Sequence, residues 1–332
     1  MFRTIVSGRV MQTELNPDQR DLLRAAWDLS RAAHGYSLSV HVPGMFVVNG
    51  RRGRYRAVSI TGGTCDLGCE HCKGFLLRTM AHASTPESLV EYGRAAFARG
   101  DHGILVTGGC DSLGRLPWRE FIPAISRLKR ETDLVITVHA GQVDTDTAVA
   151  LKQSRVDQAL VDVIGDDGTV REVYHLDDGV RTIRKTMDAL AFAGLEIVPH
   201  ILYGLHYGAK RGEDRALEML RDYPLSKYVL VVIMPSSETP MKFVEPPAPL
   251  EVALFLAKAR LELPLLQASL GCARPRGKYR KTLDVLAVAA GINSLALPSE
   301  QGLREAESRG LEICYSETCC SLGTYISGDR FQ

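Results

Sequence analysis

The segment Ser59–Phe75 reads SITGGTCDLGCEHCKGF and carries Cys65, Cys69 and Cys72 in the spacing C-x3-C-x2-C. Three thiolates on one loop can hold three irons of a cubic [4Fe–4S] cluster. The fourth iron is then left without a protein ligand and open to a small molecule. The same residues could bind zinc with a remote fourth ligand, because structural zinc takes four Cys or His ligands. They could also stand as reduced thiols. Zinc sites usually carry two C-x2-C knuckles, and only the pair Cys69 and Cys72 has that spacing here.

The other cysteines are Cys110, Cys272, Cys314, Cys319 and Cys320, the last three within the tail EICYSETCCSLGTY. In an intracellular enzyme of this size, clustered cysteines point to metal ligation or catalysis rather than a disulfide framework. Cys272, Cys314, Cys319 and Cys320 could hold a second [4Fe–4S] cluster near the barrel mouth, with Cys110 as a spare. Free cysteine is also often a small buried hydrophobe, but three in so short a tail argue against that.

These residues need a scaffold, and the rest of the chain supplies one. Its 332 residues are 45% hydrophobic and 24% charged, a soluble globular composition with room for a large core. The net charge of +1 gives no footprint for nucleic acid. No run of about 18 apolar residues would span a membrane. Met1–Gln12 lacks the apolar stretch and cleavage site of a signal peptide, so a cytoplasmic location is expected.

Short β-branched runs alternate with amphipathic stretches. Candidate strands are Arg56–Ile60, Gly103–Thr107, Leu134–His139, Gln158–Val163, Glu196–Leu202, Tyr228–Met234, Leu265–Leu270 and Ile292–Leu297. Pro86–Arg99, Trp118–Arg130, Gly179–Ala193, Leu250–Leu261 and Lys278–Ala290 read as helices between them. Eight such units predict an α/β fold, a (β/α)8 TIM-type barrel; six units with an appended tail are the alternative. The expected organisation is an N-terminal extension over 1–54 with a helix at Pro17–Ala33, a barrel over 55–300 and a cysteine-bearing tail over 301–332. In such barrels the active site lies on the loops after the strands, and the cysteine loop follows the first strand.

The cysteine spacing directly after a strand resembles the signature of the radical S-adenosylmethionine superfamily, and the chain is similar to its biotin and lipoyl synthase branch over about 55–300. The resemblance implies an S-adenosyl-L-methionine-binding [4Fe–4S] cluster on Cys65, Cys69 and Cys72, with those residues as the catalytic set. It implies further that His71 stands near the adenine, where the family usually has an aromatic residue. Gly108 and Gly109, in ILVTGGCD, would let the backbone approach the methionyl amino group. Asp162 and Asp166, in VDVIGDD, would take the ribose hydroxyls, although Asp166 also reads as a helix cap. Ile201 and Gly204, in HILYGLHYG, would line the adenine. His139, His200, His206, Tyr203 and Tyr207 would stand at the barrel mouth.

Strand six ends MPSSETPM, where Glu238 replaces the glycine of the family's Gly-Thr-Pro turn. The cysteine loop, VDVIGDD and GCARPRG are similar to components of the two-protein lipoyl synthase. That likeness implies a sulfur-insertion enzyme that makes a 5′-deoxyadenosyl radical. Its substrate would be an octanoylated lipoyl-carrier protein, and sulfur would come from the auxiliary [4Fe–4S] cluster. Its partners would be a second radical S-adenosylmethionine component and ferredoxin or flavodoxin as electron donor. Another radical reaction, such as methylation or metal-cofactor maturation with the tail cluster as relay, and a non-catalytic iron–sulfur or zinc protein are the competing expectations.

Overall fold

The computed structural model describes residues 15–44, 47–48 and 51–322. Strands β1 (Ser37–His41), β2 (Val47–Val48), β3 (Arg51–Arg52), β4 (Tyr55–Ser59), β5 (Ala81–His82), β6 (Gly103–Thr107) and β7 (Val135–His139) come first. They are followed by β8 (Gln158–Asp162), β9 (Ile197–Tyr203), β10 (Lys227–Val232), β11 (Gln267–Leu270), β12 (Ser294–Ala296) and β13 (Glu312–Ser316). Apart from the antiparallel pair β2–β3, all lie in one parallel sheet of order β13-β1-β12-β11-β10-β9-β8-β7-β6-β4-β5. Strands β4 and β6 to β12 are the eight expected from the sequence, in chain order around a TIM-type barrel.

The sheet runs past both ends of the 55–300 stretch. β1 enters it from the N-terminal segment and β13 from the tail, with Ser39 opposite both Ser294 and Cys314. Beyond β13 the tail reaches the residue before β4: the Arg54 N–H donates to the Glu317 carbonyl at 2.9 Å, and the side chains pair at 2.7 Å. SLSVH alternates Leu38 and Val40 with Ser37, Ser39 and His41, the period-2 pattern of a strand, and EICYS alternates Ile313 and Tyr315 with Glu312, Cys314 and Ser316.

Helices α1 (Pro17–His34), α2 (Pro86–Ala98), α3 (Trp118–Glu131), α4 (Thr145–Gln153), α5 (Asp167–Tyr174), α6 (Val180–Phe192), α7 (Glu213–Met219), α8 (Pro249–Glu262), α9 (Lys278–Ala289) and α10 (Glu300–Ser308) complete the chain. Local chemistry starts several of them. Asn16 and Gln19 form a capping box before α1, Thr85 and Ser88 one before α2, and each of these helices has proline in its first turn. No helix among the described residues is long and apolar enough to cross a membrane.

Period-2 alternation sorts each strand's side chains between two cores. Ile136, Val138, Ala159, Val161, Tyr228 and Leu230 pack outward in the layer shared with the helices. Leu160, Val198, Val229, Val231, Ala296 and Cys320 form a second core inside the ring of strands. The same parity turns Thr137, His139, His200 and Lys227 into the lumen.

The loop after β11 is fixed by Arg274, which has no exposed side-chain surface and pairs with the equally buried Asp284 of α9 at 2.9 Å. Arg274 also donates to the carbonyls of Gly271 (2.6 Å) and Leu297 (3.2 Å), while Asp284 accepts from the Ser299 N–H at 2.7 Å. Removing one member strands the other in the core. Arg274→Met should therefore cost about 3–5 kcal/mol of stability, measured by urea unfolding; a loss below about 1 kcal/mol would show that this loop does not need the pair.

Candidate active site

The cysteine loop leaves β4 and is sewn to the loop after β6. The N–H groups of Asp66 and Leu67 donate to the Cys110 carbonyl at 2.8 and 3.3 Å, and the Gly109 N–H donates to the Thr61 hydroxyl at 2.6 Å. The Cys110 N–H points at the Cys65 sulfur at 3.4 Å. A Cβ on Gly109 would lie 1.9 Å from the Thr64 carbonyl oxygen and 2.5 Å from the Cys65 Cβ, so only glycine allows this approach. The Gly108–Gly109 pair thus first serves to seat the cysteine loop.

Cys65, Cys69, Cys72, His71, Gly108, Gly109, Cys110, His139, Asp162 and Tyr174 line one cavity of about 250 Å³. Leu67, Leu76, Leu77, Met80 and Ile183 supply an apolar part of its wall. The donor set fits an iron–sulfur cluster, with three thiols around one space. The ligand atoms of Cys69, His71 and Cys72 lie within 4.8 Å of one another. A zinc ion could also use that trio; Cys65 stands apart from it. Hydrogen bonds from the Cys69 thiol and from His71 push the Cys72 thiol down, while Cys69 is pushed up.

A polar chain crosses the cavity floor. His71 stacks on Tyr174 with ring centroids 5.2 Å apart. The Tyr174 hydroxyl donates to one Asp162 oxygen at 2.8 Å, and His139 approaches the other at 3.5 Å. Burial alone would push His139 down, but the Asp162 charge and hydrogen bond outweigh it and raise the imidazole above its ordinary value. For Asp162, burial acts upward and is outweighed by His139, His200 and Tyr174, leaving the carboxyl below its ordinary range. His200, 6.0 Å from His139 between centroids, is pushed down to about 4 by burial and by His139. Tyr174 went unnoticed in the sequence; nothing there links it to Asp162, twelve residues earlier.

Three expected cofactor contacts lie elsewhere. Asp166 caps α5, accepting from the Thr169 N–H at 2.7 Å and hydroxyl at 2.8 Å, and pairs with Arg211 at 3.0 Å. β8 stops at Asp162, so Asp166 lies beyond the strand and shares no strand face with it. Ile201 faces the helices in the outer core, because parity sends its neighbours His200 and Leu202 inward. Gly204 serves a turn at φ +75°, where a Cβ would meet Pro247 at 2.5 Å, and its N–H donates to Glu213 at 2.8 Å. Tyr203 is buried against Glu251 (2.9 Å), His206 binds Arg211 (2.8 Å), and Tyr207 is exposed.

Of the tail group, Cys272, Cys319 and Cys320 come together in the lumen core. The Cys272 N–H and the Cys319 sulfur both approach Cys320. The thiol of Cys320 hydrogen-bonds Cys319 and, with Ser321, pushes it down to about 6. Arg280 holds the Cys272 carbonyl at 3.3 Å and the Arg274 carbonyl at 2.9 Å. Cys314 does not join them. It sits on β13 opposite Ser39, and its thiol is raised by partial burial and by Glu312 rather than by another cysteine.

No protein-family model matches the chain, and no curated protein sequence matches it. Solved structures do match in fold. Methylornithine synthase (PylB) superposes with TM-score 0.61 at 16% identity over 92% of each chain. HydG, a maturase of the [FeFe]-hydrogenase, gives 0.63 at 14% identity over 92% of this chain and 70% of its own. HydG from Carboxydothermus hydrogenoformans gives 0.59 at 14% identity over 89% and 72%. The chain has their fold. At these identities the likeness is one of architecture.

Two outcomes follow from the polar chain and the cap. Asp166→Ala should lower stability by about 0.5–2 kcal/mol, the worth of an N-cap, in urea unfolding; unchanged stability would show that α5 does not need this cap. In NMR titrations His139 should change charge above about 6.5, the ordinary histidine value. It should fall below that value in Asp162→Asn, where burial is left to act. Because the folded value is raised, the stability that His139 contributes is complete below about 6.5 and is lost as pH rises through the folded value. An unmoved His139 in the variant would refute the pairing.

Proposed function

We propose that the chain is a radical S-adenosylmethionine enzyme that inserts sulfur. We infer further that it is a component of a two-protein lipoyl synthase acting on an octanoylated carrier protein. The observation that carries this is the pairing of two separate trios of cysteines in one barrel. One trio, Cys65, Cys69 and Cys72, opens on a cavity; the other, Cys272, Cys319 and Cys320, is set into the lumen. The fold shared with methylornithine synthase and HydG is compatible with the superfamily and does not choose the reaction, since one fold hosts many chemistries.

When bound, an open-iron cluster on the first trio would supply reductive cleavage of S-adenosylmethionine, and a second cluster would supply sulfide. The residues of the chain do the rest. Gly108 and Gly109 offer backbone without side chains beside Cys65. Asp162 has lone pairs left after Tyr174 and His139 are served, and it can accept from the hydroxyls of a ribose. The apolar wall of Leu67, Leu76, Leu77, Met80 and Ile183 excludes water from a reactive carbon radical. The proposed partners are the octanoylated carrier protein, the second synthase component, and ferredoxin or flavodoxin as electron source.

The test pairs two products. With dithionite, S-adenosylmethionine and an octanoylated carrier peptide, the reconstituted protein and its partner component should yield 5′-deoxyadenosine and thiolated peptide. The variant with Cys272, Cys319 and Cys320 changed to Ala should still yield 5′-deoxyadenosine but no thiolated peptide by mass spectrometry. Thiolated peptide at the native level from that variant would sink the sulfur-donor reading. A relay role would show instead as product formed once the chemical reductant bypasses the tail.

A further inference from the structure

The lumen trio leaves a question of its own, since a cubane offers four irons and three cysteines converge. His41, the last residue of β1, has no exposed surface. Its register partner in β12 is Ala296, a member of the lumen core that contains Cys320. Adjacent register partners in a parallel sheet face the same way, so His41 faces the lumen as well. Its Nδ1 meets the Thr318 hydroxyl at 3.2 Å, one residue before Cys319. Its Nε2 is buried with no hydrogen-bond partner.

An orphaned buried ring nitrogen is costly and rare. The surroundings do not relieve it. The titratable group that shifts it is Lys227, a buried cation from β10 that itself neighbours Glu196, Cys319 and Cys320. The outer partner is also in place. The Thr318 hydroxyl stands 3.5 Å from the Cys319 carbonyl as donor and can accept the Nδ1 proton. That leaves the lone pair on Nε2, as ligating histidines are oriented by a bond at the far nitrogen.

We propose that Nε2 of His41 is the fourth protein ligand of a cluster held by Cys272, Cys319 and Cys320, a Cys3His set whose histidine comes from the N-terminal strand. The inference rests on the lumen trio holding an iron–sulfur cluster.

The test uses the full chain with Cys65, Cys69 and Cys72 changed to Ala, reconstituted with iron and sulfide and reduced, so that only the lumen can hold a cluster. Pulsed EPR should show a nitrogen coupled directly to the reduced cluster, shifting as expected when histidine is labelled with ¹⁵N. The coupling should persist in His139→Gln and His200→Gln, the other lumen-facing histidines of β7 and β9, and vanish in His41→Cys. That variant should keep its four irons and show a lower midpoint potential, since exchanging histidine for thiolate lowers it. A cluster without nitrogen coupling, or with coupling that survives His41→Cys, would overturn the ligand assignment while the cluster stands. A chain that retains no iron would overturn both, and the two failures are told apart by the iron content.

Discussion

The seam between Arg54 and Glu317 is the constraint on which the lumen depends. Parallel strands need a crossover connection, and the eight units from β4 to β12 account for the chain only as far as Ala296. β1 then pairs with β12, and β13 pairs with β1. This adds two strands beyond the last unit, and the contact back to the start of β4 comes through Glu317 rather than through a βα unit. Because β13 ends at that seam, the residues that follow turn into the barrel. Thr318, Cys320, Ser321 and Leu322 are all buried there, and Ser269 of β11 donates to the Cys320 carbonyl at 3.2 Å. The tail is thus the lumen's filling. A barrel interior normally fills with layers of strand side chains; here thiols, histidines and a lysine share that space with valines and leucines.

Two anchors make this mixed interior tolerable. Buried polar groups are expensive unless they are paired, and the Arg274–Asp284 pair and the Asp162 cluster are both paired. The first holds Cys272 from outside the ring, through α9. The second holds the floor between the cavity and the lumen, since Asp162 touches Tyr174 on one side and faces His139 and His200 on the other. The two cysteine trios are therefore separated by a charged, hydrogen-bonded partition and not by loose packing. Such a partition fixes the distance between the two trios.

The sequence showed much of this. The eight strands, the helices between them and the cysteine loop could be read because each rests on a local pattern: β-branched runs, capping residues, spaced thiols. Asp162 could be found because it ends a strand. Asp166 could not be assigned correctly, since the choice between a ribose contact and a helix cap depends on where β8 stops, and one residue decides it. Ile201 failed for the same reason of parity, because being on the right strand is not being on the right face. Cys314 reads as equivalent to Cys319 in a list of cysteines; opposite Ser39 it faces inward as well, but two residues short of His41's level, and only the turn after β13 brings thiols to Cys272. β1 has a strand's alternation in SLSVH, but a five-residue run before the first unit says nothing of the partners, β12 and β13, that it joins.

That last omission bears on how the lumen is read. β1 lies nearly three hundred residues from the tail cysteines, and nothing local in SLSVH marks His41 as more than a strand-ending histidine. Its relation to Cys319 and Cys320 exists only because the sheet places β1 between β12 and β13. A structural role for His41 alone would favour a ring with both nitrogens bonded, as packing usually arranges for buried histidines. The geometry instead satisfies Nδ1 and leaves Nε2 buried without a partner. Lys227 helps to hold the Cys319 thiol down, while the hydrogen bond to Cys319 and burial push Cys320 up, so the two adjacent thiols share one site unequally.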